Sequence, residues 1–168
     1  MIRRALVARP NREDRGFTLL DLTIALAILS VLVLMATPVI QLQAQRQREA
    51  ELRSSLRELR QAIDAYKQAG AEGRLGPLTA GASGYPPRLE VLVEGAVDAK
   101  DPKGKRIYFL RRIPRDPMNP DAMLAAAATW GKRSYASPPD APAEGEDVYD
   151  VYSLSDRVGI DGRPYREW

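Results

Sequence analysis

The sequence predicts an α+β protein in which a long N-terminal helix packs against a small antiparallel sheet. Three observations lead there. Residues 17–40 form an apolar run broken by a single charge, Asp21. Beyond it, Leu52, Leu56, Leu59, Ile63 and Tyr66 recur at spacings of four, three, four and three, the pattern of one buried helix face. From residue 71 onward, Gly and Pro punctuate short segments that hold most of the aromatic residues.

The elements follow in order. Residues 1–16 are a basic leader with Arg3, Arg4, Arg9, Arg12 and Arg15 against Glu13 and Asp14. Residues 17–40 have the roughly 20 mostly apolar residues that cross a hydrocarbon core, so they read as a transmembrane helix. The arginine bias of the leader over Arg46, Arg48 and Arg53 favours a cytoplasmic N-terminus. Pro38 removes a helical hydrogen bond and crowds the preceding turn, so a kink or local unwinding is expected there.

Residues 41–70 continue as an amphipathic helix. Glu49–Arg53 and Arg60–Asp64 have the i,i+4 spacing of surface ion pairs, and Gly70 and Gly73 end the helix. A coiled coil is the alternative partner for the apolar stripe. Barely two heptads are too few to stand alone, which favours packing on the chain's own domain.

Residues 71–168 form the small α+β domain. Gly70–Gly84 reads as a loop, and a short helix follows Pro86-Pro87 through Leu89, Leu92 and Val93. Ile107–Leu110 suits strand or helix equally. Ile113–Asp121 is turn chemistry with three prolines, and Met123–Ala128 suits a helical turn. Thr129–Ala136 and Val148–Leu154 read as strands joined by a polar, Pro-rich loop, and Asp161-Gly162 is a turn near the end.

Composition removes whole classes of chemistry. With no Cys and no His there is no disulfide, thiolate site, cysteine nucleophile or His-based triad. The chain has 25 basic and 22 acidic side chains, a net +3, and the leader alone accounts for all of it. Residues 17–168 are neutral, so the basic balance carries no nucleic-acid inference. No segment reads as a phosphate-binding glycine loop, Ser153 and Ser155 lack a base, and Glu146/Asp147 sit in a polar loop. The sequence reads as a protein that is not an enzyme.

Gly16, Phe17 and Asp21 ahead of an apolar helix with Pro38 resemble the class III signal of type IV pilins and type II secretion pseudopilins. Four further segments are similar, in order, to the major pseudopilin of type II secretion: YPPRLEVLVEG from Tyr85, YFLRRIPRDPMNP from Tyr108, WGKRSY from Trp130 and DVYSL from Asp150. The resemblance implies a type IV pilin-like fold. It also implies cleavage between Gly16 and Phe17 by a membrane-embedded prepilin peptidase and methylation of the new Phe17 amine. Asp21 stands where the family usually has Glu and would pair with the terminal amine of a neighbouring subunit during assembly.

The family further implies calcium in the loop after the last principal strand, for which Leu154, Asp156 and Asp161 are candidates. Here that loop is replaced by SDRVGIDGRPYREW, in which Asp156 and Asp161-Gly162 serve as readily as turn residues. The implied function is that of a structural subunit of the bacterial inner membrane, with its C-terminal domain in the periplasm. Its partners would be the peptidase, copies of itself, other pseudopilins and an inner-membrane assembly platform. Together the subunits would build a periplasmic filament for protein secretion. The alternatives are a type IV pilus or competence subunit and, in another class, a periplasmic binding or enzymatic domain on an uncleaved anchor.

Overall fold

The computed structural model describes residues 18–77 and 81–168, without the side chains of residues 34–39. The architecture is α+β: a long helix α1 (Leu19–Ala71), a short helix α2 (Glu90–Glu94) and two small antiparallel sheets. The chain divides into two units, Met1–Leu42 and Gln43–Trp168.

The C-terminal unit is built on the apolar stripe of α1. Leu52, Leu56, Leu59 and Ile63 are buried in one cluster with Leu89, Leu92, Trp130, Val151 and Tyr165, and Tyr66 packs at its edge. Each such aliphatic side chain removed from water contributes about 1.5–3 kcal/mol before entropy is subtracted. The stripe is therefore the inner face of this domain. Gly73 ends α1 at φ 71°, with Arg74 N donating to Ala69 O and Gly73 N to Gly70 O, both at 2.9 Å. That pair of bonds defines a Schellman cap, so Gly73 stops the helix while Gly70 still lies within it.

After the expected loop, α2 forms where Leu89, Leu92 and Val93 predict it, and Leu92 O accepts from Phe109 N and Leu110 N at 3.1 and 3.0 Å. Strand β1 (Ala96–Val97) pairs with β2 (Arg106–Ile107), which resolves the ambiguous apolar run in favour of a strand at its start. Between α2 and β1, Gly95 has φ 73°, and a Cβ there would lie 2.7 Å from Ile107 O. Only glycine fits. A 3-10 turn (Ala126–Thr129) leads into β3 (Trp130–Arg133), which pairs with β4 (Asp150–Ser153) in the register Trp130↔Ser153 to Arg133↔Asp150.

Instead of the single sheet expected, the strands form two separate two-stranded ladders. Pro114, Pro117 and Pro120 lie between them in sequence and cannot donate to a ladder. This segment is held by side chains instead. Trp130 Nε1 donates to Pro114 O at 2.8 Å, and Asp116 accepts from Ser153 Oγ at 2.6 Å and Met118 N at 2.8 Å.

The two i,i+4 ion pairs are also replaced. Glu49 is buried and its Oε1 accepts from Tyr165 Oη, Ile160 N and Gln45 Nε2 at 3.0, 2.9 and 3.1 Å. Arg60 turns to Asp150 Oδ1 at 2.8 Å and to the main-chain oxygens of Val151 and Trp168 at 3.2 and 2.8 Å. Arg53 lies 4.1 Å from the centre of the Trp168 ring. The energetic reason is context. The buried Tyr165, and half-buried partners on β4 and the tail, strengthen these contacts beyond the tenths of a kcal/mol available to an exposed helical pair.

The transmembrane helix expected over 17–40 is not recovered among the described residues, where no helix is long and apolar enough to cross a membrane. Residue 17 and the side chains of 34–39 fall outside the described set, so the described apolar stretch reduces to Leu19–Val33. At about 1.5 Å per residue those residues alone are too short to span.

One stability prediction arises from the Asp116 contacts. Burial pushes its carboxyl above the ordinary range, and the bonds from Ser153 and Met118 offset this only in part. The folded state therefore holds the proton more tightly than the unfolded chain. Stability should fall as pH rises from the ordinary value of about 4 through the raised one, then level off. Asp116→Asn keeps an acceptor for Met118 N and gains a donor toward Ser153 Oγ. Urea unfolding of the full chain in micelles should show that slope removed in the variant; an unchanged slope would assign it to another group.

Candidate functional site: the exposed apolar helix and its first turn

From Thr18 to Val33 every side chain is exposed, although ten of the sixteen are large and apolar. Leu19, Leu20, Leu22, Ile24, Leu26, Ile28 and Leu32 together point around the full circumference at about 100° per residue. No single stripe exists to bury, in contrast to Leu52–Ile63. Such a surface requires lipid or other apolar chains around it. The polar side chains within the stretch suit that surrounding, because Thr23 Oγ1 donates to Leu20 O and Ser30 Oγ to Leu26 O, both at 2.8 Å. Each hydroxyl is satisfied by its own helix.

Asp21 lies in the first turn, where it closes a reciprocal cap. Asp21 N donates to Thr18 Oγ1 at 3.2 Å, while Asp21 Oδ2 accepts from Thr18 N at 3.2 Å and Thr18 Oγ1 at 2.8 Å. Two amide donors without helical partners are thereby satisfied, and the carboxylate sits at the positive end of the helix dipole. A Thr three residues before an acid at the head of an apolar run is the sequence signal for this box. Reading Asp21 only as a membrane charge passes it over. Both bonds use Oδ2, and among the described residues Oδ1 accepts none.

The remaining expected residues divide. Gly16 and Phe17 lie outside the described residues, as does the side chain of Pro38 where the kink was expected; α1 is assigned as helix through that position. The three calcium candidates lie in different surroundings. Leu154 and Asp156 line a cleft with Arg48 and Arg157. Asp161 instead accepts from Arg163 N at 3.1 Å and lies 3.4 Å from the Arg163 guanidinium and 3.7 Å from that of Arg53. The Arg163 amide bond first, and then the two arginines, hold its carboxyl below the ordinary range. Among the described residues no group of three or more His, Cys, Asp or Glu is gathered to hold a metal.

A family model described as the prokaryotic N-terminal methylation motif matches residues 11–37. No curated protein and no solved structure matches the chain. The matched segment contains Gly16, Phe17, the Thr18–Asp21 cap and the whole exposed apolar stretch. The chain therefore carries a prokaryotic N-terminal methylation motif, the signal of type IV pilin-like prepilins, on an α+β body whose long N-terminal helix is consistent with a pilin-like fold.

Proposed function

We propose that this chain is a structural pseudopilin, cut between Gly16 and Phe17, methylated on Phe17 and assembled into a periplasmic filament that drives type II protein secretion. The observation that carries the reading is the methylation motif at 11–37 lying on a helix whose apolar side chains are exposed on every face. The four segments similar to a major pseudopilin favour the secretion role over a pilus. The chain's chemistry is as the peptidase's substrate.

Before assembly, residues 17–40 anchor the subunit in the inner membrane, with the leader in the cytoplasm and the C-terminal unit in the periplasm. Within the filament, helices of neighbouring copies and other pseudopilins replace lipid around the same apolar surface. Cleavage creates an ammonium at Phe17 close to where Asp21 carries its carboxylate. A charge near the bilayer centre costs about 2.5–3.5 kcal/mol, less toward an end, and a cation from the next subunit offsets it. Asp21 would serve both ends of that contact: Oδ2 holds Thr18 of its own chain and Oδ1 is left for the neighbour's amine.

The deciding experiment is a chromosomal deletion in the native host, complemented by the wild-type chain. Folded exoproteins should accumulate in the periplasm while surface pili remain. Lost pili, twitching or DNA uptake with export intact would contradict the secretion role and support the pilus reading.

A further inference from the structure

The C-terminal unit carries a basic surface beside an exposed apolar tip. Two open clefts share Arg48 and Asn119 in their linings. One is also lined by Leu154, Asp156 and Arg157, the other by Glu51, Arg112 and Arg115. Arg48, Arg112 and Arg157 are exposed and enter no ion pair among the described residues. Glu51 and Asp156 are the exposed acids of the two clefts, while Asp116 is buried and engaged by Ser153. Four arginines thus face two exposed acids.

Beside the clefts, the Arg115 guanidinium donates to the main-chain oxygens of Asp121 and Leu124. The Asp121 carboxylate is occupied by Met123 N at 2.9 Å. These bonds brace a tip on which Met123 is 93 % exposed and Leu124 39 %, and Leu154 in the neighbouring cleft is 51 % exposed. A bare methionine held out beside unpaired arginines has the chemistry of an interfacial membrane contact. The apolar tip enters the acyl boundary and the guanidinium groups take phosphate oxygens.

We propose that this surface docks on anionic phospholipid headgroups of the bilayer that anchors the subunit. Docking here presupposes residues 17–40 as that anchor, as proposed above. Chain length permits it, since Arg48 follows Ile40 by eight residues, about 12 Å at the helical rise. That distance is within reach of the headgroup layer for a long, flexible arginine. Docking of this kind would hold the domain at the membrane until the subunit is drawn into the filament.

The test uses the full mature chain in vesicles of phosphatidylcholine alone or with phosphatidylglycerol. Because the chain has no Cys, Met123→Cys accepts a single fluorescent label, and Val97→Cys on β1 serves as an exposed control. The label at 123 should be quenched by lipid-borne nitroxide, more strongly with phosphatidylglycerol and less at high salt, while the label at 97 stays accessible to iodide. Arg48→Ala and Arg112→Ala should each lower the docked-to-undocked ratio by about fivefold. Chains that float with the vesicles but show position 123 quenched by iodide alone, equally in both lipids, would overturn the docking and leave the anchor standing. Shielding from both quenchers that grows with protein density would assign the surface to contact between copies and overturn it as well. Failure to float at all would remove the anchor and the docking together.

Discussion

Trp130→Ala is expected to lower the stability of the C-terminal unit by about 3–5 kcal/mol. Trp130 starts β3 and is buried in the same cluster as Leu52, Leu59 and Val151. Removing the indole takes apolar area from the cluster and leaves a cavity that two-stranded sheets are poorly placed to close. It also removes the donor at 2.8 Å to Pro114 O, which fixes a segment that has no ladder of its own. Trp130→Phe separates the two contributions, since it keeps most of the ring and loses the donor; about 1–3 kcal/mol is expected for that change. Denaturant unfolding of the full chain in micelles measures both. A loss below about 1 kcal/mol for the alanine variant would show that the cluster does not depend on the indole.

Glu49→Ala is expected to cost about 2–5 kcal/mol, because it strips the acceptor from the buried Tyr165 hydroxyl, at about 1–3 kcal/mol, and from the partly buried Ile160 amide, at somewhat less. Those donors, Tyr165 Oη and Ile160 N, belong to the tail segment that closes the domain. Burial pushes the Tyr165 hydroxyl above its usual pKa, which keeps it a donor. Its ring also packs edge-on against Trp168 at 5.0 Å, so loosening one loosens the other. The amides of Ile160 and Tyr165 should lose protection from hydrogen exchange before those of β3 and β4 do. Glu49→Gln retains an oxygen and should lose much less. Unchanged exchange at Ile160 in the alanine variant would contradict this account of how the tail is held.

Periodicity carried much of the fold. The stripe from Leu52 to Ile63, α2 after Pro86-Pro87, the β3–β4 pair and the Asp161-Gly162 turn all lie where apolar spacing and turn chemistry place them. What periodicity could not carry is the identity of the group that meets a polar side chain. Glu49 stands three residues before Leu52 at the end of the apolar stripe and Arg60 borders it, but each has an opposite charge four residues along, so local charge pairing assigns both to solvent. Glu49 keeps one local donor, Gln45, but the partners that tie both side chains to the rest of the domain are 90 or more residues away in sequence, where no helical repeat points. The separation of the two ladders depends likewise on how Trp130 and Ser153 hold the proline-rich segment, a tertiary matter. The Thr18–Asp21 box is a different case, since both residues and their spacing were in plain view. Hydropathy marks the acid as a charge in an apolar run, whereas its spacing from Thr18 marks a first turn.

The same residues decide the functional account, because the cap, the exposed helix and the proposed processing site occupy one contiguous segment. Intact-mass and N-terminal peptide spectrometry of the membrane-bound protein from its host tests it most directly. The expected product begins at Phe17, carries one methyl group on its amine and lacks residues 1–16, and Gly16→Ala should accumulate as uncut precursor. A functional membrane protein that still begins at Met1, or one cut after the apolar run, would contradict it.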